Sequence, residues 1–414
     1  MRCPMQKVVR DGELKRVSYV WRHSDKTSGG GMEATFASSR EKSSGAAVSE
    51  LISKLECNPP PAALIVFAAP NYDHLRLLRE LTARYPDAAV MGSSSAGEFD
   101  GHDVAEGVVC LGLRGQDVDF RIGFGKPLTT DVRRAARQIA DGFRGVERTE
   151  RSFRSALVMT DALAGHASAL VDELTLATKG QYVFFGGGAG DNAQFKRTTV
   201  FCGATVLTDA AVALEILSDK PIGVGAGHGW EPASQPMRVT EAHGMSVMSF
   251  DGLPAIDAFE RFANESNQKL AARSPMPFFL HNVLGIRTAG SYQLRVPLEF
   301  GTDGSVMCAS EIPEGSIVHI MRTSSRSAVE AAQRATQSAL GTLGKAEPAA
   351  GLFFDCVATR LRLGEDFGQE LAAVKMALPP IKLTGCNTHG QIVRTDGQFD
   401  GFHNCTAVVC LFPA

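Results

Sequence analysis

Three stretches of the sequence set small polar side chains behind glycines at the end of an apolar run. The central one is Phe184-Phe185-Gly186-Gly187-Gly188-Ala189-Gly190-Asp191-Asn192. Met91-Gly92-Ser93-Ser94-Ser95-Ala96-Gly97-Glu98 precedes it, and Leu383-Thr384-Gly385-Cys386-Asn387-Thr388-His389-Gly390-Gln391 lies near the C-terminus. Glycines after a strand can bring backbone N–H groups close to an anionic or carbonyl-bearing ligand, because no side chain blocks the approach. None of the three fits G-x-G-x-x-G, and G-x-x-x-x-G-K-[ST] is absent, so nucleotide binding is not indicated. The plainer use of such glycines is tight turning and close strand packing. In a ligand-binding role, Ser94, Ser95, Glu98, Asp191 and Asn192 would line a cleft shared by the loops.

Other residues offer different chemistry. His228 sits in Gly227-His228-Gly229-Trp230, beside one of the chain's two tryptophans. It reads either as part of an aromatic-walled pocket or as a hydrogen-bonded core histidine. His389 and His403 lie near Cys356, Cys386 and Cys405 in sequence, which admits a cysteine-dependent hydrolase with a histidine base. Arg295 and Arg360 are able to pair a ligand carboxylate bidentately, or to make ion pairs of the fold.

The elements that must position these residues recur. Ala63-Leu64-Ile65-Val66-Phe67 reads as a buried strand, Asp73 to Tyr85 as an amphipathic helix, and Ala89-Val90-Met91 as a strand entering the first glycine loop. Gly107 to Leu113 and Val118 to Phe124 follow as strands. The order repeats with Ser155 to Met159, a helix face at Leu170, Val171 and Leu174 closed by Gly180, and Tyr182 to Phe185. Thr198 to Leu207 and Ala210 to Leu217 are its later strands, and Ile222 to Gly227 mirrors Phe120 to Gly125. A third copy runs from Gly351 through a helix stripe at Phe367, Leu371, Val374 and Leu378 to the last glycine loop and a closing strand at Thr406 to Phe412. Between the second and third copies, 294–298 and 317–321 read as strands, and Ser327-Ala328-Val329-Glu330 as a capping box opening a helix to about Leu340. The expectation is an α/β chain of repeated βαβ-plus-glycine-loop units forming mixed sheets flanked by helices, in two domains.

At 414 residues, 44% apolar and 21% charged, the chain is long enough for two or three domains with a substantial core. A net charge of −3 without a basic run speaks against nucleic acid as a partner. No apolar run reaches the roughly 18 residues of a membrane span, and no signal peptide opens the chain, so a cytoplasmic protein is expected. Its nine cysteines, without a Cys-x-x-Cys pair, read as buried thiols rather than disulfides or a zinc site. Residues 1–31, ending in Ser28-Gly29-Gly30-Gly31, read as a flexible extension.

Taken together, several segments resemble the FIST family of sensory modules, from about Met32 to the end. They are Gly92 to Glu98, Gly186 to Asp191, Gly227-His228-Gly229-Trp230, and Asp251-Gly252-Leu253-Pro254-Ala255. In the C-terminal half they are Glu311-Ile312-Pro313-Glu314-Gly315, Cys356 to Arg360, and Phe402-His403-Asn404-Cys405-Thr406. Gln391 stands where the family commonly has Glu, and His389 where an aromatic is usual. The resemblance implies an N-terminal FIST domain over 32–248 and a C-terminal one over 249–414. It also implies a small-molecule sensor for an amino-acid-like ligand, acting through a separate output partner because no kinase, GGDEF or F-box segment is left over. Some stand-alone members are nitric-oxide-sensing haem proteins that regulate histidine kinases, so haem and a histidine kinase are the implied cofactor and partner. Haem needs an axial ligand, for which His228, His281, His389 and His403 are eligible. The ligand-binding set is then Ser94, Ser95, Glu98, Asp191, Asn192, His228, Trp230, Arg295, Arg360, His389 and Asn404, with no catalytic residue or metal ligand assigned. A cysteine hydrolase and a pure interaction scaffold are the alternatives.

Overall fold

Three times the chain lays down strand, helix, strand, helix, strand, hairpin, strand. The structure, a computed structural model, describes residues 31–414 apart from 102, 105, 289 and 396–399. The expected N-terminal extension therefore lies, except for Gly31, outside the described residues. The first unit comprises β1 (Glu33–Ser39), α1 (Ser44–Leu55), β2 (Ala63–Ala68), α2 (His74–Arg84), β3 (Ala89–Ser94), the hairpin β4 (Glu98–Phe99) and β5 (Asp103–Val104), and β6 (Val108–Arg114). The second comprises β7 (Val118–Gly125), α3 (Val132–Asp141), β8 (Phe153–Thr160), α4 (Ala167–Ala177), β9 (Val183–Gly188), the hairpin β10 (Val200–Cys202) and β11 (Thr205–Leu207), and β12 (Ala211–Ser218).

The third unit opens with β13 (Gly223–Gly227) and is then interrupted by an insert. The insert holds β14 (Glu231–Pro232), β15 (Met237–His243), β16 (Ser246–Phe250), β17 (Leu253–Pro254), α5 (Ala255–Glu265) and α6 (Met276–Phe279). It continues with β18 (Val283–Arg287), β19 (Tyr292–Arg295), β20 (Pro297–Phe300), β21 (Val306–Cys308) and β22 (Ile317–Arg322). The unit resumes with α7 (Ser325–Leu343), β23 (Pro348–Cys356), α8 (Val357–Leu363), α9 (Phe367–Ala377) and β24 (Lys382–Thr388). The hairpin β25 (Gln391–Arg394) and β26 (Asp400–His403) and the strand β27 (Ala407–Pro413) close it.

Each unit builds one mixed sheet, and the sheets exchange their hairpins in a ring. Among the described residues their orders are β1-β6-β2-β3-β10-β11, β26-β25-β9-β8-β12-β7 and β13-β27-β23-β24-β4-β5. The first unit's hairpin thus completes the third sheet, the second unit's hairpin the first sheet, and the third unit's hairpin the second sheet. One apolar core joins the inner faces, with Phe67, Phe185 and Phe354 buried in it, and the Phe67 and Phe354 rings meet edge-on at 5.6 Å. The outer faces lie under helices: α1 and α2, α3 and α4, and α7 and α9. The insert makes its own antiparallel sheet over Phe259, Phe279 and Val306.

An internal repeat and a mixed α/β architecture were both expected, and both are present. The unit boundaries differ from the sequence reading. Val118 to Phe124 looks like the partner of the strand before it, yet β7 pairs with β12 and starts the second unit. Its counterpart β13 likewise starts the third. The glycines that mark both strands let a helix sit on strand backbone: a Cβ on Gly125 would lie 2.0 Å from the Ala135 carbonyl oxygen, and one on Gly225 2.0 Å from that of Ala335. The expected division between 248 and 249 falls inside β16, which pairs with both β15 and β21, within the insert that interrupts the third structural unit. The capping box also sits three residues earlier than read: Ser324 caps α7, with Ser327 returning a bond to the Ser324 N–H.

Candidate functional site

The three glycine loops meet at the centre of the ring, and they spend their backbone groups on one another. The Gly190 N–H donates to the Ser94 carbonyl at 2.9 Å, and the Ala96 N–H to the Asn387 carbonyl at 3.0 Å. Between the other pair, Gly188 N–H donates to the Gly390 carbonyl at 2.9 Å and His389 N–H to the Gly188 carbonyl at 3.0 Å. These N–H groups serve the fold and leave no open cradle for an anion.

The polar residues that follow the glycines are likewise consumed. Glu98 and Gln391 hold equivalent places, each six residues beyond the matching strand glycine, Gly92 or Gly385, whereas Asp191 stands five beyond Gly186. Glu98 accepts from Ser95 Oγ and, at 2.8 Å, from the Gly107 N–H just before β6. Gln391 donates to Thr388 Oγ1 at 2.8 Å and accepts from the Thr406 N–H at 3.2 Å just before β27. In both units one side chain ties the entrance of the hairpin to its exit. Asp191 instead accepts the N–H groups of Gln194, Phe195, Lys196 and Arg197 at 2.7–3.1 Å, wrapping the loop 191–197 around its carboxylate. Asn192, Ala193 and Phe195 adopt positive φ in that loop, a strained course that the Asp191 contacts hold in place.

Most of the sequence-predicted ligand residues therefore have structural duties. Ser94 and Ser95 are buried, and Ser94 exchanges bonds with Thr199 of the neighbouring hairpin. Arg295 is buried and donates to the carbonyls of Glu311, Leu294 and Phe402 at 2.9, 2.9 and 3.0 Å, and to Ser168 Oγ at 3.3 Å. Arg360 donates to Asn387 Oδ1 at 3.0 Å and lies over the Phe367 ring. His228 is bound to the Tyr292 carbonyl at 3.0 Å, and burial pushes its pKa down to about 4, as expected of a core histidine. Trp230 is buried in the packing between the insert and the third unit, with the Arg362 guanidinium 5.6 Å from its ring centre. Of the set, His389 and Asn404 come together at a cavity.

Burial sets the protonation of Glu98. It raises the carboxyl to about 8, against the opposing pull of the Ser95 and Gly107 hydrogen bonds and the Arg360 charge. Because the folded value lies above the ordinary 4.5, this contribution to stability is complete below about 4.5 and drains as pH rises through about 8. The urea midpoint of the wild type is expected to fall between pH 5 and 8, and Glu98→Gln to flatten that slope. Asp355, raised by burial to about 6, and Glu370, raised in the same way, leave part of the slope in the variant.

The cavity around His389 has a volume of about 230 Å³ and is walled mainly by apolar side chains. Leu163 and Phe195 come from the second unit; Cys356, Leu361, His389 and Asn404 come from the third. The insert supplies Met245, Met276, Met307 and Val296. Phe195, on the Asp191-held loop, stacks on His389 with ring centres 4.8 Å apart. Burial pushes the His389 pKa down to about 4 although Asp191 pulls it up, so the ring is neutral near pH 7. Its Nε2 lies 3.5 Å from Asp191 Oδ1, and neither ring nitrogen has a hydrogen-bond partner among the described residues. The methionines, Phe195 and Val296 carry no periodic signal, and sequence reasoning did not find them. On the far side of the same loop lies an open polar cleft of about 690 Å³, lined by Asp73, His74, Arg79, Lys196 and Arg197.

Of the histidines eligible for haem, His389 has the apolar surroundings an axial ligand needs, whereas His281 is exposed and His228 is bound to a carbonyl. The space does not fit: 230 Å³ is below the roughly 300–1,000 Å³ that holds drug-sized ligands. A porphyrin is larger still. Among the described residues no cluster of metal-ligating side chains occurs, and the eight described cysteines are free thiols.

Family models for the FIST N domain and the FIST C domain match residues 62–253 and 255–394. The chain is a FIST protein. FIST domains are sensory, small-ligand-binding domains, and the two together cover most of this chain. The boundary between the two FIST domains falls at 253–255, inside the insert, so neither domain corresponds to one structural unit. No curated relative matches the sequence. Two solved structures of cyanuric acid hydrolase, one of them from A. caulinodans, are similar to the FIST protein over 92% of its length and 99% of theirs. Their identities are 12% and 9%, each with a TM-score of 0.29, a distance at which the likeness says nothing about activity. No helix among the described residues is long and apolar enough to cross a membrane.

Proposed function

We propose that this FIST protein senses a small, largely apolar and uncharged ligand held in the His389 cavity, binding it without turnover and signalling through a separate cytoplasmic partner. One observation carries the reading: the second unit, the third unit and the insert each contribute a wall. A ligand there touches all three bodies at once, so occupancy favours one arrangement of the insert against the ring. Three methionines give the wall adaptability, while Asn404 and the neutral His389 offer hydrogen bonds. A signalling protein, of which a histidine kinase is the family-implied example, would read the position of the insert.

Among the described residues no Asp, Glu, Lys or Arg lines the cavity, so the ammonium or carboxylate of an amino acid would be buried unpaired there. A charged, amino-acid-like ligand finds counter-charges of both signs in the polar cleft beyond the loop, at Asp73, Arg79, Lys196 and Arg197. Thermal unfolding with a panel of small uncharged aromatic and aliphatic compounds and of amino acids separates the two. An uncharged compound at a hundred times its Kd is expected to stabilise by about 2.7 kcal/mol. Ala309 also lines the cavity, and Ala309→Trp, which fills it, is expected to abolish that shift. Stabilisation by amino acids alone, lost in Arg197→Ala and kept in Ala309→Trp, would move the site to the cleft.

A further inference from the structure

The second unit departs from the repeat where its hairpin begins. Residues 95–97 join β3 to β4 and residues 389–390 join β24 to β25, but residues 189–199 join β9 to β10. The longer connection holds the loop wrapped on Asp191, with Asn192, Ala193 and Phe195 at φ of 55°, 58° and 51°. Left-handed backbone at non-glycine residues carries strain that the two shorter connections do without. The loop presents two faces. Phe195 lines the His389 cavity, whereas Gln194, Lys196 and Arg197 line the polar cleft of about 690 Å³ beside the start of α2.

Charge in that cleft is unevenly matched. Arg79 comes from α2, Lys196 and Arg197 from the loop, and among the described residues none of the three has an ion-pair partner or a side-chain hydrogen bond. Two carboxylates share the lining. Asp191 has both oxygens filled, Oδ1 by the Gln194 and Phe195 N–H groups and Oδ2 by those of Lys196 and Arg197. Asp73 caps α2 by accepting from the Arg76 N–H at 3.0 Å. His74 is engaged as well, Nε2 with the Ala69 carbonyl at 2.9 Å and Nδ1 with Thr199 Oγ1 at 3.3 Å. What the cleft has left to offer is mostly donor capacity, and it is cationic.

We propose that the cleft binds a small organic dianion, a dicarboxylate or a phosphate monoester, between Arg79 of α2 and Lys196 and Arg197 of the loop. Guanidinium and ammonium groups make charge-assisted hydrogen bonds to either kind of anion. The volume lies within the roughly 300–1,000 Å³ of small-molecule sites. The site is separate from the His389 cavity, yet one loop bounds both. Phe195 directly precedes the two loop cations and stacks on His389, so an anion that holds Lys196 and Arg197 also restrains that wall of the cavity.

The test titrates the full chain with succinate and with glycerol phosphate, read by calorimetry and thermal unfolding. Putrescine and glycerol serve as the matching skeletons without negative charge. At least one anion is expected to bind and to raise the unfolding temperature, less so in added salt, while putrescine and glycerol do neither. The tighter of the two names the anion as dicarboxylate or phosphate ester. Lys196, Arg197 and Arg79 are exposed, so their alanine variants are expected to unfold at the wild-type temperature without ligand. The double variant Lys196→Ala/Arg197→Ala is expected to weaken binding at least about tenfold, and Arg79→Ala, outside the loop, to weaken it too. Amide exchange in 194–197 is expected to slow when the anion is bound. Binding of neither anion, equal stabilisation by putrescine, an unchanged Kd in the double variant, or unchanged exchange in 194–197 would overturn the proposal. Ala309→Trp is expected to leave the Kd of the anion as it is, so a cavity that proves to hold no ligand does not decide the cleft.

Discussion

Gly186→Ala is expected to cost at least about 3 kcal/mol of folding stability, whereas Gly180→Ala costs about 1 kcal/mol. Both glycines have positive φ, at 138° and 67°, so an alanine is conformationally disfavoured at either. Their surroundings separate them. A Cβ on Gly186 would lie 2.0 Å from the Val158 carbonyl oxygen of the paired parallel strand, while nothing lies within 4 Å of one on Gly180. A backbone oxygen in a central sheet strand cannot move aside as a side chain does. The same clash recurs by the repeat: Gly92 against the Val66 oxygen and Gly385 against that of Phe353, each at 1.8 Å. Paired urea titrations of the two variants give the comparison directly. Equal losses would show that backbone conformation alone, and not the approach to the neighbouring strand, demands glycine at 186.

That geometry also explains what the sequence made legible. Gly92, Gly186 and Gly385 cannot be exchanged for other residues where they stand, so they survive as a repeated signature that plain reading detects. The stripes of α2 and α9 are visible for the same kind of reason, because Leu78 and Leu81, or Phe367, Leu371 and Val374, must face a sheet. β1 carries no legible strand pattern, since only two of its seven residues are buried. The hairpin exchange was invisible: Glu98-Phe99 and Val200 to Cys202 are too short to announce a partner, and their partners belong to other units. The candidate site suffered most. Glu98, Asp191 and Arg295 are polar residues beside glycines or strands, and a sequence cannot tell a side chain that waits for a ligand from one already bound to backbone. The cavity itself is assembled from single residues of distant segments, among them Phe195, Met245, Met307 and Leu361, with no spacing in common.

Arg295→Met is expected to lower stability by about 3 kcal/mol or more and, with it, to erase any ligand-induced stabilisation. The guanidinium joins the insert, through Leu294 and Glu311, to Phe402 of the third unit's hairpin and Ser168 of α4. Methionine replaces the aliphatic stem but neither reaches as far nor donates, so those carbonyls lose donors in a site where water cannot replace them. Lysine is expected to rescue little, because one ammonium cannot reach acceptors arranged around a planar fork. The effect reaches the cavity through the chain itself. Val296, one residue on, lines the cavity and donates its N–H to Asn404 Oδ1 at 3.3 Å, and Asn404 lines it too. Loosening Arg295 therefore frees the wall that the insert contributes without touching the wall's own side chains. Hydrogen exchange in 294–298 and 402–406 should rise together in the variant while exchange in β2 and β8 does not. Unchanged exchange in those segments, with stability lost throughout, would make Arg295 an ordinary core residue and leave the insert held to the ring by apolar packing alone.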